Sequence, residues 1–325
     1  MKKVFKFLGI LILVVVLLAI AGIGYVVYFL PNVGKAQDIK VVATPERVKR
    51  GEYLATSVAV CIDCHSQRDW TQYAGPYIKG TEGCGGEMFD QKLGFPGVFY
   101  ARNITPYHLS NWTDGEIFRA ITTGVSKDGH ALFPIMPYHY YGQLDTEDLY
   151  SIIAYVRSLP AINNDVKPSN PDFPFSLIIH TIPTKASFHS KPSPNDSVAY
   201  GKYLVTMAGC VECHTPAKQG QIIPGFEFSG GREFVLPWGT IRTANITPDS
   251  NTGIGAWGRN QFVSRFKMYQ DPNYHSPKLG GTDFNTIMPW MMYSRMTESD
   301  LASIYKYLRT LKPANHLINK FTPKS

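Results

Sequence analysis

The chain of 325 residues contains five cysteines, at positions 61, 64, 84, 210 and 213. Four of them form two pairs, and each pair is followed at once by histidine: Cys61-Ile62-Asp63-Cys64-His65 and Cys210-Val211-Glu212-Cys213-His214. Cysteines three apart lie on one side of a helical turn, and the next residue follows on the same face. Such a turn can link both sulfurs to the two vinyl groups of one porphyrin and present an imidazole to its iron. Cys-x-x-Cys-His is the attachment signature of c-type haem. Zinc is the competing use of cysteine pairs. Here the pairs begin 149 residues apart, at 61 and 210, and each belongs to its own repeat, which does not suit one shared zinc site. No βαβ pattern surrounds either pair, so a thioredoxin-like motif is not supported. An odd count does not suit a closed disulfide framework. Cys84 has no counterpart and is read as a small buried side chain.

An iron held by one histidine needs a second axial ligand from a distant loop. Met136 lies 71 residues after His65, and Met288 lies 74 after His214. Both occur in the tripeptide Ile-Met-Pro, and the following proline biases each methionine toward extended backbone. His108, His130, His139 and His275 have no repeat counterparts and are read as surface or loop residues. The expected cofactor sites are therefore Cys61, Cys64, His65 and Met136, then Cys210, Cys213, His214 and Met288, with the histidines and methionines on the iron. His–Met ligation raises the reduction potential. It also fills both axial positions, which favours electron transfer, and no catalytic residue is expected. Arg102 and Arg242 are read as ordinary surface charges, with pairing to haem propionates as the alternative. The aromatic run Tyr138, His139, Tyr140, Tyr141 is read as packing at a haem edge, and Trp112 and Trp257 as core.

The elements that must position these residues also occur twice. Gly51-x-Tyr53-Leu54 recurs as Gly201-x-Tyr203-Leu204, Gly85-Gly86 as Gly230-Gly231, and Asn103-Ile104-Thr105-Pro106 as Asn245-Ile246-Thr247-Pro248. Each copy closes on an apolar helix face: Leu149, Ile152, Ile153, Val156, Leu159, and then Leu301, Ile304, Tyr305, Leu308, Leu311. Asp145 or Thr146, and Thr297 with Asp300, are candidate caps, and Pro160 and Pro313 stop the helices. A further helix is expected after each Asn-Ile-Thr-Pro loop, the first opened by the capping box Thr113-x-x-Glu116 and ended by Gly124. Few alternating β-branched runs occur, so the fold class expected is all-α. Residues 161–195 hold six prolines and read as a connector, with Leu177-Ile178-Ile179 docked on one repeat.

Residues 7–30 carry no charge. As a helix they span roughly 36 Å, enough to cross the ~30 Å apolar core of a membrane. Lys2, Lys3 and Lys6 precede the run, which keeps the N-terminus in the cytoplasm and exports the rest. A cleaved signal would have a shorter apolar core and a small-residue cleavage site, which Tyr28-Phe29-Leu30-Pro31 does not provide. With 44% hydrophobic and 18% charged residues the chain is not disordered. Its net charge is +7, but no basic block follows the N-terminal lysines, so nucleic acid is not an expected partner. Residues 31–160 carry 12 Lys+Arg against 14 Asp+Glu, and residues 161–325 carry 17 against 11. The basic second half is expected to steer toward an acidic partner.

Taken in order, Cys-x-x-Cys-His, Gly-Gly, Asn245-Ile246-Thr247-Pro248-Asp249, Thr252-Gly253-Ile254-Gly255, Met-Pro and a closing helix resemble the cytochrome c subunits of membrane-bound alcohol and gluconate dehydrogenases. The resemblance covers nearly all of 47–315. It implies covalent haem c with iron in each repeat, ligands at the positions named above, and electrons passed from a dehydrogenase subunit to quinone. The departures are two haem modules rather than three, an N-terminal rather than C-terminal anchor, and a first repeat without the Asp and Thr-Gly-Ile-Gly of the second. The expected architecture is an N-terminal transmembrane helix followed by two tandem cytochrome c domains: anchor 1–30, linker 31–46, domain 47–160, connector 161–195, domain 196–315 and tail 316–325. The expected function is a membrane-anchored di-haem electron carrier on the periplasmic side of the inner membrane. Its partners would be a dehydrogenase or quinol-linked donor and a terminal oxidase or soluble cytochrome. The alternatives are a haem subunit of a dehydrogenase complex and, further off, a di-haem peroxidase.

Overall fold

The structure is a computed structural model and describes residues 2–324. Met1 and Ser325, the outer ends of the expected anchor and tail, lie outside the described residues. The chain begins with α1 (Lys2–Phe29), a helix with no buried residue and a mean hydropathy of 3.1 over its most apolar window. The first repeat contains α2 (Pro45–Tyr53), a wide helical turn over Leu54–Val58 and α3 (Cys61–Cys64). Then come β1 (Met88–Phe89), β2 (Gly97–Tyr100), α4 (Pro106–Leu109), α5 (Asp114–Thr123), α6 (Tyr138–Tyr141) and α7 (Thr146–Ser158). The connector holds β3 (Asn170–Pro171) and α8 (Phe175–Ile178). The second repeat contains α9 (Ser197–Met207), α10 (Cys210–Cys213), β4 (Ala217–Lys218), β5 (Gln221–Ile222), β6 (Glu233–Leu236) and β7 (Gly239–Arg242). It continues through α11 (Arg259–Lys267), α12 (Trp290–Tyr293) and α13 (Glu298–Leu308) to β8 (Phe321–Pro323).

Each repeat is framed by its first and last helices, α2 on α7 and α9 on α13. Glycine makes both crossings close. A Cβ on Gly51 would sit 1.8 Å from the Ser151 carbonyl oxygen, and one on Gly201 would sit 2.0 Å from that of Ser303. This is the physical reason for the repeated Gly-x-Tyr-Leu, since the next turn inserts Leu54 and Leu204, both fully buried. Thr113 and Glu116 form the expected reciprocal cap of α5, and Gly124 ends it in the left-handed region. Asp145 caps α7 and Thr297 caps α13.

The all-α expectation needs correction. Three small antiparallel sheets pin the long loops, in the orders β1-β2-β3, β4-β5 and β6-β7-β8. The missed signal is Glu233–Arg242, a hairpin turning at Pro237-Trp238, with Phe234 paired to Ile241. The connector is also part of the sheets, because β3 pairs with β2. Of its apolar triplet, Ile179 is buried, Leu177 is half-buried and Ile178 stays exposed.

One apolar core runs through both repeats, from Leu54, Leu149 and Ile153 to Leu204, Tyr293 and Leu301. A second cluster joins Ile62 and Leu159 of the first repeat to Met292 of the second. The loop around Thr71 binds the loop around Lys278: Tyr73 N–H donates to the Pro277 carbonyl and Leu279 N–H to that of Thr71, both at 2.9 Å. Trp70 packs on Trp238 with ring centres 5.8 Å apart.

Candidate functional site

In both repeats a left-handed residue turns the chain into the cysteine helix. In the second it is Gly209 (φ 63°), and in the first it is Val60 (φ 49°), a strained choice for a β-branched side chain. The turn then places Cys61, Cys64 and His65, and likewise Cys210, Cys213 and His214, half-buried at the edge of the core. None of these four cysteines is in a disulfide, and burial pushes the thiols of Cys61, Cys64 and Cys210 up to about 12.

The two histidines are held identically. His65 Nδ1 lies 2.7 Å from the carbonyl oxygen of Arg102, and His214 Nδ1 lies 2.7 Å from that of Ala244. A carbonyl only accepts, so Nδ1 carries the proton and Nε2 keeps its lone pair. Burial lowers both imidazole pKa values, outweighing the opposing pull of these carbonyls.

Backbone around the rings explains the repeated glycines. Gly85 N–H donates to the His65 carbonyl at 2.9 Å, and Gly230 N–H to that of His214 at 2.7 Å. A Cβ on Gly85 would lie 2.5 Å from the Arg102 carbonyl carbon, and one on Gly230 would lie 2.4 Å from that of Ala244. Asparagine fixes the accepting strand. Asn103 Oδ1 accepts from Thr105 N–H at 2.9 Å and its hydroxyl at 2.7 Å, while Nδ2 donates to the Ile162 carbonyl. Asn245 repeats this with Thr247, and its Nδ2 donates to the Ala314 carbonyl. Asn-Ile-Thr-Pro is thus a clamp. It ties the carbonyl just before it to the segment beyond the closing helix.

Met136 and Met288 lie half-buried against the same apolar core as Cys61 and Cys210. The Ile-Met-Pro loops are anchored just behind them. Tyr141 O–H donates to the Ala59 carbonyl at 3.0 Å, and Tyr293 O–H to that of Ala208 at 2.9 Å. Each loop also reaches the other repeat. Tyr140 O–H donates to Glu212 of the second cysteine motif at 2.6 Å, while Met292 packs on Ile62 of the first. Asp63, between the first two cysteines, is buried and pairs with Arg68 at 3.0 Å. Burial raises its carboxyl to about 6 against the pull of Arg68.

Both arginines make hydrogen bonds within the chain. Arg102 donates to the carbonyls of Val166 and Lys167, and Arg242 to Glu233 and Asn319, so both are committed to tying down chain segments. The position equivalent to Arg102 is Ala244, and what the two share is the carbonyl. Sequence reasoning missed that role, although the signal was present as the residue immediately before each Asn-Ile-Thr-Pro. His130 and His275 are exposed, whereas His108 and His139 are half-buried. Cys84 is buried, with its thiol 3.3 Å from the Gly85 carbonyl oxygen. Trp112 and Trp257 pack against the core.

The residues fit a porphyrin better than a bare ion. Among the described residues, no group of three or more His, Cys, Asp and Glu side chains converges to hold a metal directly. Two cysteine sulfurs placed to add to vinyl groups and an Nδ1-anchored imidazole, with a methionine thioether on the same core, are the groups that a covalently attached iron porphyrin requires.

The class follows: residues 198–312 match the family model for cytochrome c, and a cytochrome c domain implies covalently bound haem c with iron. More particularly, the chain is homologous to cytochrome c subunits of dehydrogenases. It is 27% identical to the cytochrome c subunit of the quinone alcohol dehydrogenase of Gluconacetobacter polyoxogenes, over 82% of this chain and 56% of that protein. It is 28% identical to the fructose dehydrogenase cytochrome subunit of Gluconobacter japonicus, over 81% and 52%. It is 26% identical to the gluconate 2-dehydrogenase cytochrome c subunit of Pantoea cypripedii, over 81% and 59%. The chain thus spans little more than half the length of these relatives.

Proposed function

We propose that the chain is a di-haem c-type cytochrome that carries electrons for a dehydrogenase on the outer face of a membrane. The observation that carries the reading is the duplicated site: two Cys-x-x-Cys-His turns, each with its histidine Nδ1 2.7 Å from a clamped backbone carbonyl. In this reading Cys61 and Cys64, then Cys210 and Cys213, hold the porphyrins through thioether bonds. His65 with Met136, and His214 with Met288, occupy the axial positions. The haem iron supplies a reversible one-electron change. The chain's own contribution is to fix ligand basicity through the Nδ1 bonds and to shield the sites with the shared core.

Mass analysis of the mature protein, with pyridine haemochrome quantification, tests this. Two haems per chain are expected. One haem would restrict the cofactor to one repeat, and none would overturn the reading.

Helix α1 is proposed as the anchor. It has no buried residue and is apolar enough to cross a bilayer, and the lysines at its start favour export of everything after it. An intact N-terminus in membrane-extracted protein is expected, since a signal sequence would be absent there.

Between the free carrier and the complex subunit, similarity to dehydrogenase subunits over four-fifths of the chain favours the second. Extraction in mild detergent should co-purify a large catalytic subunit. Isolation of the chain alone from native membranes would favour a carrier acting between a quinol-linked donor and an oxidase or soluble cytochrome.

A further inference from the structure

We propose that the connector forms a second membrane contact, a foot of residues 171–182 that dips into the headgroup region beside α1. The inference rests on the reading of α1 as the anchor.

Helix α1 meets the folded body at α8 and at the turn Ile179–Thr181 that follows it. Within α1 only Gly24 and Val26, near its end, are partly shielded, as are Leu30 and Pro31 just beyond. The contact therefore lies where the helix leaves the bilayer. Tyr25, Tyr28 and Phe29 mark the same level; all are exposed, with Tyr25 stacked on Phe29. Aromatic side chains with polar tips gather at the boundary between hydrocarbon and water. The connector is thus held at headgroup depth.

Beside the exposed Asp172 and Thr181, its surface there presents large apolar side chains. Phe173 is 81% exposed and Ile178 is 48% exposed. These residues are held in place from beneath. Phe175 packs among Phe99 and Phe133, and Ile179 is buried. Pro171 pairs with Gly97, and Asp172 N–H donates to the Pro96 carbonyl at 2.9 Å. Gln91 donates to the Asp172 carboxylate at 2.8 Å. Because neighbours on both sides of Phe173 are fixed, its exposure follows from the fold. A bilayer surface is the occupant that removes this area from water, and it is already beside the segment. A second contact would fix the tilt of the redox body over the membrane.

The test uses the full chain with its haems in phosphatidylcholine–phosphatidylglycerol vesicles containing a diazirine-bearing phosphatidylcholine. Adducts are mapped by mass spectrometry after illumination. Labelling is expected on α1 and on 171–182, with the second set lost in Phe173→Ser/Ile178→Ser. Leu317, 86% exposed in the tail, serves as the reference for apolar exposure without membrane contact. If α1 is labelled while 171–182 is labelled no more than the Leu317 peptide, the foot is overturned and the anchor stands. If α1 is unlabelled, the anchor reading falls, and the foot with it.

Discussion

The Tyr203 hydroxyl donates to the Asp148 carboxylate at 2.8 Å, joining the first helix of the second repeat to the last helix of the first. The bond is returned in reverse by their repeat counterparts, as Tyr53 donates to Asp300 at 2.5 Å. The repeats therefore meet about an approximate two-fold relation, like the two halves of an isologous dimer joined in one chain. The Ile-Met-Pro loops follow the same pattern, each seated on the other repeat's cysteine motif through Tyr140–Glu212 and Met292–Ile62.

Removing the hydroxyl in Tyr203→Phe should cost about 1.5–3 kcal/mol, the usual range for a hydrogen bond to a charged group. Asp148 keeps Arg50 at 2.8 Å and Lys191 at 3.1 Å, so the lower end is expected. Denaturant midpoints of the two proteins measure it. A change below about 0.3 kcal/mol would show the bond to be incidental.

Asp148→Asn should be worse, about 3–5 kcal/mol, because it leaves the Arg50 and Lys191 charges without their buried partner. The same carboxylate predicts acid sensitivity. Burial alone would raise its pKa, but Arg50, Lys191 and Tyr203 together hold it below the usual carboxylate value. A depressed pKa contributes stability that is complete above about pH 4 and lost as pH falls through the folded value. Urea midpoints should therefore fall more steeply below about pH 4 in the native protein than in Asp148→Asn. Parallel curves would contradict this.

Glycines 85, 230 and 209 separate steric from conformational requirements. Ala at 85 or 230 would drive a Cβ into backbone at 2.5 or 2.4 Å and displace the carbonyl that holds the histidine. A loss of at least about 2 kcal/mol is expected, together with a shifted absorption spectrum at the affected haem. Gly209 has nothing within 4 Å of a new Cβ, so Gly209→Val should cost only the left-handed backbone penalty, about 1–2 kcal/mol. Thermal unfolding and visible spectra distinguish the two classes. A spectral shift in Gly209→Val equal to that of Gly230→Ala would count against the separation.

On the proposed di-haem reading, Met136→Ala and Met288→Ala, made separately, should each change one haem's spectrum and lower one reduction potential, leaving the other centre near its native value. Redox titration of the two variants checks this. Two unchanged spectra would remove both methionines from the iron.

Much of the site was legible because its parts are local or repeated. Cysteine and histidine spacing specifies one helical turn, and the capping box at Thr113 specifies the start of α5. The small sheets were less legible, since strands of two to four residues such as β1 and β3 carry little alternation and form only when a distant partner arrives. The role of the Arg102 carbonyl was hidden for a related reason: residue type says nothing about a backbone oxygen, and only the fold brings it 2.7 Å from His65 Nδ1.

The sequence by itself determined that the chain is duplicated, where each cysteine turn lies, and which methionines and histidines share its repeat, because residue type and spacing along one helix or loop set those properties. Only the tertiary structure decided that Gly85 and Gly230 exist to let a carbonyl approach a histidine, that Tyr53 and Tyr203 cross to the opposite repeat, and that α8 meets α1 with Phe173 exposed just before it. Those are contacts between segments from 14 to 247 residues apart, and the packing of the whole chain selects them.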